Sequence, residues 1–191
     1  MREIILASSS PRRSELLKQI GLVFKTIPSD IKEEMDTSLD VGECVANISF
    51  EKARHVAEQL ARDVLVIGAD TVVVKEGILG KPRDEKEAYE MLKSLEGGWH
   101  EVITGITVME GLTLKAAKAF EKTRVKMRNL SDEIIKSYIR TGEPMDKAGA
   151  YGIQGLGAVL VERIEGCYFN VVGLPLMRLS KMLAEFGVHV L

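Results

Sequence analysis

This 191-residue sequence has little cysteine, little histidine and little net charge (two, three and −2), and each scarcity excludes something. Cys44 and Cys167 lack metal-ligand spacing. One falls in a predicted helix and the other beside a hairpin turn, so two buried free thiols are expected rather than a disulfide. His55, His100 and His189 are too widely separated to suggest a histidine-based metal site. Without a global basic excess, a general nucleic-acid partner is disfavoured. No apolar run approaches the roughly 20 residues of a membrane span, and the first residues lack the charged-then-apolar pattern of a signal peptide. The expectation is a chain with neither nucleic acid nor membrane as partner, working in a reducing cytoplasm. There is no G-x-x-x-x-G-K-[ST] loop and no G-x-G-x-x-G after a strand. Internal repeats, low-complexity segments and linkers are also missing, so one domain over residues 1–191 is expected.

With 46% hydrophobic and 28% charged residues, the composition is that of a globular protein rather than a disordered one. Its most informative stretch is Leu6-Ala7-Ser8-Ser9-Ser10-Pro11-Arg12-Arg13. Ile4 to Ala7 reads as a short buried strand. Pro11 suits the first position of a helix that runs through Leu16, Leu17 and Ile20 to stop before Gly21. Ser10 is then the N-cap. Free N–H groups, three hydroxyls and two guanidinium groups converge on one helix N-terminus, which favours an anion. The reading is a phosphate grip; the plain alternative is a capped helix with two solvated arginines.

Val23 to Ile27 alternates like a strand. Asp30, Glu33, Glu34, Asp36 and Asp40 then form an acidic stretch, expected to be a solvated loop, with a cation-holding role as the alternative. Asp40-Val41-Gly42-Glu43 is a D-x-x-E start for a long amphipathic helix through Val45, Ile48, Ala53, Val56 and Leu60. Lys52 falls on or beside its buried stripe, where a lysine either snorkels or points into a cleft. Val64 to Val74 reads as a central strand buried on both faces. Asp70 interrupts it, and a carboxylate there is costly unless it is paired or binds a cation.

Lys75 to Ile78 reads as a turn, and Asp84 with Glu87 as a second helix start. A β-rich ribbon follows from Trp99 to Met127, hinged at Glu110-Gly111. His100, which opens it, is read as a packed structural residue. Leu130 and Ile135 are placed as a hydrophobic staple for a helix that stops near Thr141-Gly142. Asp146 to Gly157 carries four glycines that allow close backbone approach to a ligand, with Lys147, Tyr151 and Gln154 offering a charge, a stacking ring and an amide. A hairpin at Glu165-Gly166, a strand over Tyr168–Val172 and a helix begun by Gly173-Leu174-Pro175 close the chain. The loose alternation of helices and strands predicts a mixed α/β sheet. A basic helix N-terminus, a buried carboxylate and two further lysines are what a hydrolysed phosphate-bearing small molecule needs.

Five of these stretches occur in the order and spacing of the Maf family of nucleoside triphosphate pyrophosphatases: Ala7 to Arg13, Glu51-Lys52-Ala53, Gly68 to Val72, Gly80-Lys81-Pro82-Arg83, and Asp146 to Gly155. Gly97, His100, Val102, Thr104 and Gly105 match as well, so the resemblance covers essentially the whole chain. It implies a fold similar to the inosine triphosphate pyrophosphatases: an elongated, curved mixed sheet flanked by helices, with a cleft between two lobes. It also implies cleavage between the α- and β-phosphates of a nucleotide with a divalent cation, Mg²⁺ or Mn²⁺, in a homodimer.

Carried over by position, Asp70, Lys52 and Lys81 are the implied catalytic set, with Asp70 as the proton acceptor that activates water. Ser8, Ser10, Arg12 and Arg13 hold phosphate, and Lys52 and Lys81 share that task. Glu33 and Asp70 hold the cation; Asp70 as base, as metal ligand or as both stays open. Arg13, Thr71 and Gln154 match the positions that tune base choice. Tyr151-Gly152-Ile153-Gln154-Gly155 resembles the subgroup acting on dTTP and UTP. A glutamine amide pairs with the O4/N3–H edge of uracil or thymine, which cytosine reverses. The implied substrates are dTTP, UTP and modified pyrimidine triphosphates. The alternatives are a 7-methyl-GTP pyrophosphatase and a nucleotide-binding regulator of septum formation with little turnover.

Overall fold

Apolar residues in short runs, cut by glycines and helix caps, build a mixed α/β structure in the computed structural model, which describes residues 2–35 and 38–191. In chain order the elements are β1 (Glu3–Leu6), α1 (Pro11–Gln19), β2 (Phe24–Thr26), α2 (Val41–Leu60), β3 (Val64–Val74), β4 (Ile78–Leu79) and α3 (Glu85–Leu95). They continue with β5 (Trp99–Glu110), β6 (Ala116–Met127), α4 (Asp132–Ile139), β7 (Val161–Glu165), α5 (Tyr168–Val172) and α6 (Leu176–Ala184). The strands form one sheet in the order β2-β1-β3-β5-β6-β7, with β4 beside β3. β1 runs parallel to β2 and β3, pairing Leu6 with Thr26 and with Ile67. β4 is antiparallel to β3 and β7 to β6, so the sheet is mixed as expected. No described helix is long and apolar enough to cross a membrane.

The chain divides into two compact units. The first comprises Met1–Asp70, Thr104–Glu121 and Gly173–Leu191, and the second Thr71–Ile103 and Lys122–Val172. In the first, Ile5, Ala7, Val64, Val66 and Met109 pack against Ala53, Val56 and Ala57 of α2. Two glycines bring that helix down onto the sheet. A Cβ on Gly68 would lie 2.1 Å from the Ser49 carbonyl oxygen, and one on Gly105 would lie 2.3 Å from that of Val45. In the second unit, Ala88, Leu92 and Leu95 of α3 and Ile135, Tyr138 and Ile139 of α4 share a core with Val102, Val125 and Met127.

The helix starts follow their caps. The Asp84 carboxylate accepts from the Glu87 N–H at 2.8 Å, as the D-x-x-E pattern predicts. Asp40 caps α2 through the Gly42 N–H instead. The Glu87 carboxylate turns to the Arg83 backbone N–H and guanidinium.

Three expectations are corrected. Tyr168–Val172 is a helix, α5, despite its aromatic and β-branched residues. Asn170 is fully buried there and donates to the Val102 carbonyl and the Thr123 hydroxyl, so tertiary bonding overrides strand propensity. The β5–β6 connection spans residues 111–115 rather than a turn at Glu110-Gly111. Gly111 is drawn sideways, its N–H donating to the Val64 carbonyl, while Leu114 closes back on the Glu110 carbonyl. Cys44 and Cys167 are both free, but only Cys44 is buried.

Candidate active site

The first unit presents the N-terminus of α1 beside the end of β1. Ser10 is the N-cap in extended conformation and Pro11 is the first helical residue. The Ser10 hydroxyl makes no capping bond; its backbone N–H instead donates to Ser8 Oγ at 3.2 Å. Arg13 Nη1 donates to the same oxygen at 3.1 Å, and Arg13 Nε donates to the Gly173 carbonyl at 2.9 Å. Two donors occupy both lone pairs of the Ser8 hydroxyl, so its own proton can only be donated onward. No described residue accepts it. Ser8 and Arg13 are buried, Ser10 and Arg12 half-buried. Burial pushes the Arg13 pKa below its ordinary value, Asp70 and Glu33 oppose that, and the like charge of Arg12 adds to it. Arg13 therefore braces Ser8 and Gly173 as well as offering charge. Its anchor at Gly173, 160 residues away, carries no sequence signal.

A second cluster in this unit is built by α2, β3 and the acidic stretch. Lys52 and Asp70 are only 8% and 7% exposed. Lys52 Nζ lies 2.7 Å from Asp70 Oδ1 and 2.7 Å from Glu33 Oε1. Lys52 does not snorkel: it is the buried counter-ion of the carboxylate that interrupts the apolar strand. Asp70 Oδ2 has no partner among the described residues. Glu33 is exposed and approaches from the loop side; Asp36, read as part of the same acidic stretch, lies outside the described residues.

A divalent cation fits this donor set in kind. Two carboxylates reach one ammonium, each with a second oxygen, and Mg²⁺ is commonly held by one or two carboxylates plus substrate phosphate and water. Among the described residues, no three His, Cys, Asp or Glu side chains gather as a closed cage.

The second unit holds the remaining expected residues. Thr71 is half-buried in β3. Lys81 is exposed, with no partner among the described residues. The segment before it is tied down where the Gly80 carbonyl accepts the Gly149 N–H at 3.0 Å. Gln154 is half-buried and extended, and no described residue hydrogen-bonds its amide. Lys147 and Tyr151, read as flanking ligand contacts, are committed elsewhere. Lys147 donates to the Glu143 carbonyl and pairs with Asp146. Tyr151 is buried in the core, its hydroxyl 2.7 Å from His100 Nε2. His100 is 3% exposed and packed, as expected, and burial with the nearby Lys75 charge lowers its pKa to about 4.

The structure thus gathers Ser8, Ser10 and Arg13 at one helix end, and Lys52, Asp70 and Glu33 at one strand. Sequence reasoning passed over Glu143, whose carboxylate accepts from the Tyr138 hydroxyl and from the Leu156 and Gly157 N–H groups at 2.9–3.0 Å.

Residues 3–186 match the profile of a family described as "Maf-like protein". The chain is 57% identical over 187 residues to a dTTP/UTP pyrophosphatase of Carboxydothermus hydrogenoformans, covering 97% of this chain and 99% of that one. It is 55% identical over 197 residues to one of Acetivibrio thermocellus, covering 100% and 98%. Among solved structures, the Staphylococcus aureus Ham1 protein is similar at 16% identity and a TM-score of 0.45, covering 84% of this chain and 80% of that one.

Proposed function

The chain belongs to the Maf-like family, and from that membership we propose that it hydrolyses dTTP and UTP to the monophosphate and pyrophosphate, as one domain over residues 1–191. The observation that carries the reading is a buried carboxylate, Asp70, held by Lys52 in a chain that also forms a donor-rich helix end at Ser8 and Arg13. The reading is further supported by full-length relatives at 55–57% identity whose name is dTTP/UTP pyrophosphatase.

In this proposal Ser8, Ser10, Arg12 and Arg13 take phosphate oxygens, with Lys52 and Lys81 adding charge. Ser8, Arg13 and Lys52 are held by their partners before substrate arrives, so part of the repulsion between the nucleotide and an attacking water is offset without reorganisation. A new P–O bond forms to the water oxygen as the bridging P–O bond between the α- and β-phosphates breaks. The bridging oxygen leaves with one product, and the water's proton passes to Asp70, whose Oδ2 is unengaged. Asp70 and Glu33 would hold a divalent cation, which when bound neutralises charge developing on the phosphates. Arg13, Thr71 and Gln154 select the base. We place the enzyme in the cytoplasm as a homodimer, the latter tested by its mass in solution.

The deciding experiment is pyrophosphate release with Mg²⁺ across dTTP, UTP, CTP, dCTP, GTP, 7-methyl-GTP and ITP, with Asp70→Asn alongside. Cleavage confined to dTTP and UTP and lost in the variant is the expected result. Preference for 7-methyl-GTP would keep the chemistry and replace the base. A wild type that binds dTTP and cleaves nothing would make the protein a nucleotide-binding regulator.

A further inference from the structure

We infer that Glu143, together with Tyr138, is the positioning residue for Gln154, clamping the loop on either side of it; the role rests on Gln154 reading the base. Gly152 donates its N–H to the Tyr138 hydroxyl at 3.2 Å, and that hydroxyl donates to Glu143 Oε1 at 2.9 Å. Gly157 donates to the same Oε1 at 3.0 Å and Leu156 to Oε2 at 2.9 Å. One carboxylate and one phenol therefore fix the backbone before Gln154 and after it. Only residues 153–155 are left to span the gap.

The loop's glycines fit this clamp and nothing larger. Gly155 has φ +68°, and a Cβ on it would lie 2.8 Å from Glu143 Oε2. A Cβ on Gly157 would lie 2.3 Å from the Gly152 carbonyl oxygen and 2.6 Å from the Tyr138 hydroxyl. The clamp is itself anchored. Tyr138 is buried in the second unit's core, and the Glu143 backbone donates to the Thr141 hydroxyl and accepts from Lys147 Nζ. Burial disfavours the charge on Glu143, yet the Gly157 and Leu156 N–H groups outweigh that and hold its carboxyl below the ordinary range.

A carboxylate is needed here because three donors point at it. An ionised carboxyl only accepts, and on both oxygens. A glutamine would set its NH₂ against an N–H. The consequence for recognition follows from the amide of Gln154, which carries a donor and an acceptor on one rotatable group. Uracil is distinguished from cytosine only if that amide meets the base edge in one fixed sense. A loop pinned at both ends limits the alternative approach.

The test measures kcat and KM for UTP and CTP, with thermal unfolding, for the full-length wild type, Glu143→Gln, Tyr138→Phe, Gln154→Ala and the Glu143→Gln/Gln154→Ala double variant. In Glu143→Gln the UTP-to-CTP ratio of kcat/KM should fall about tenfold, mainly through KM for UTP. The double variant should discriminate no worse than Gln154→Ala alone, because Glu143 acts through Gln154. A Glu143→Gln protein that melts normally and keeps the wild-type ratio overturns the proposal, as does a double variant whose losses multiply. Should Glu143→Gln not fold, Tyr138→Phe, which deprives Gly152 of its acceptor, must show the same loss of discrimination. A wild type that does not prefer UTP ends the base reading and this role with it, a result visible before any substitution is made.

Discussion

The Lys52 ammonium lies 2.7 Å from the Asp70 carboxylate, and both side chains are almost wholly buried. Each makes the other's burial tolerable, and their substitutions should therefore not be equivalent. Lys52→Met leaves a carboxylate in an apolar strand without its counter-ion and should cost about 3 kcal/mol of stability. Asp70→Asn leaves Lys52 with Glu33 and a neutral acceptor, so the fold should survive while turnover falls by about 10²-fold or more. Urea denaturation of both variants with dTTP turnover of Asp70→Asn checks the pair. An Asp70→Asn protein that is folded and fully active would remove Asp70 from the chemistry.

Ser8 carries the next prediction. Its hydroxyl accepts from Ser10 and Arg13, so it is an obligate donor toward whatever lies beyond. Ser8→Ala removes that donor and strips Arg13 Nη1 of an acceptor, a loss of about 1–3 kcal/mol. KM for dTTP should rise roughly tenfold or more, and inhibition by pyrophosphate should weaken in parallel. Weakened nucleotide affinity with pyrophosphate inhibition intact would place Ser8 away from the phosphates.

What could be read from the sequence was what neighbours in the chain decide. Pro11 after Ser10, the Asp84 cap, the apolar run around Asp70 and the stripe holding Lys52 are local patterns with local causes, and each stands where it was expected. What could not be read depends on partners distant in sequence. Asn170 makes a helix of a strand-like run because Val102 and Thr123 wait for its amide. Tyr151 looks like a ligand platform until His100 claims its hydroxyl. Glu143 is invisible because it binds backbone N–H groups, which every sequence has, and only the chain path shows which ones it meets.

Gly68 is where close packing bears on the site. Any Cβ there would sit 2.1 Å from the backbone oxygen of Ser49, which cannot swing aside. Gly68→Ala must lift α2, and Lys52 lies on the next turn of that helix. The cost should be at least about 2 kcal/mol, accompanied by loss of dTTP turnover. Gly77→Ala, where nothing lies within 4 Å, is the control and should be close to neutral in thermal unfolding. A Gly68→Ala protein as stable and active as the control would mean that α2 does not rest on the sheet at this point.

His100 makes stability depend on pH. Its pKa is about 4 in the folded chain, against 6.5 for the free side chain, because burial and the Lys75 charge disfavour the imidazolium. Between those values the unfolded chain binds a proton that the folded chain refuses. Stability therefore rises with pH across this window. The contribution is fully present above pH 6.5, declines as pH falls toward 4, and is gone below it. The depressed pKa corresponds to about 3 kcal/mol. His100→Gln cannot titrate and keeps a polar group near the Tyr151 hydroxyl. Urea unfolding at pH 7.5 and pH 4.5 should show the wild type losing about 3 kcal/mol more than the variant between the two conditions. Equal losses would mean that His100 is protonated in the folded protein, and the 2.7 Å contact to Tyr151 would then be donated by an imidazolium.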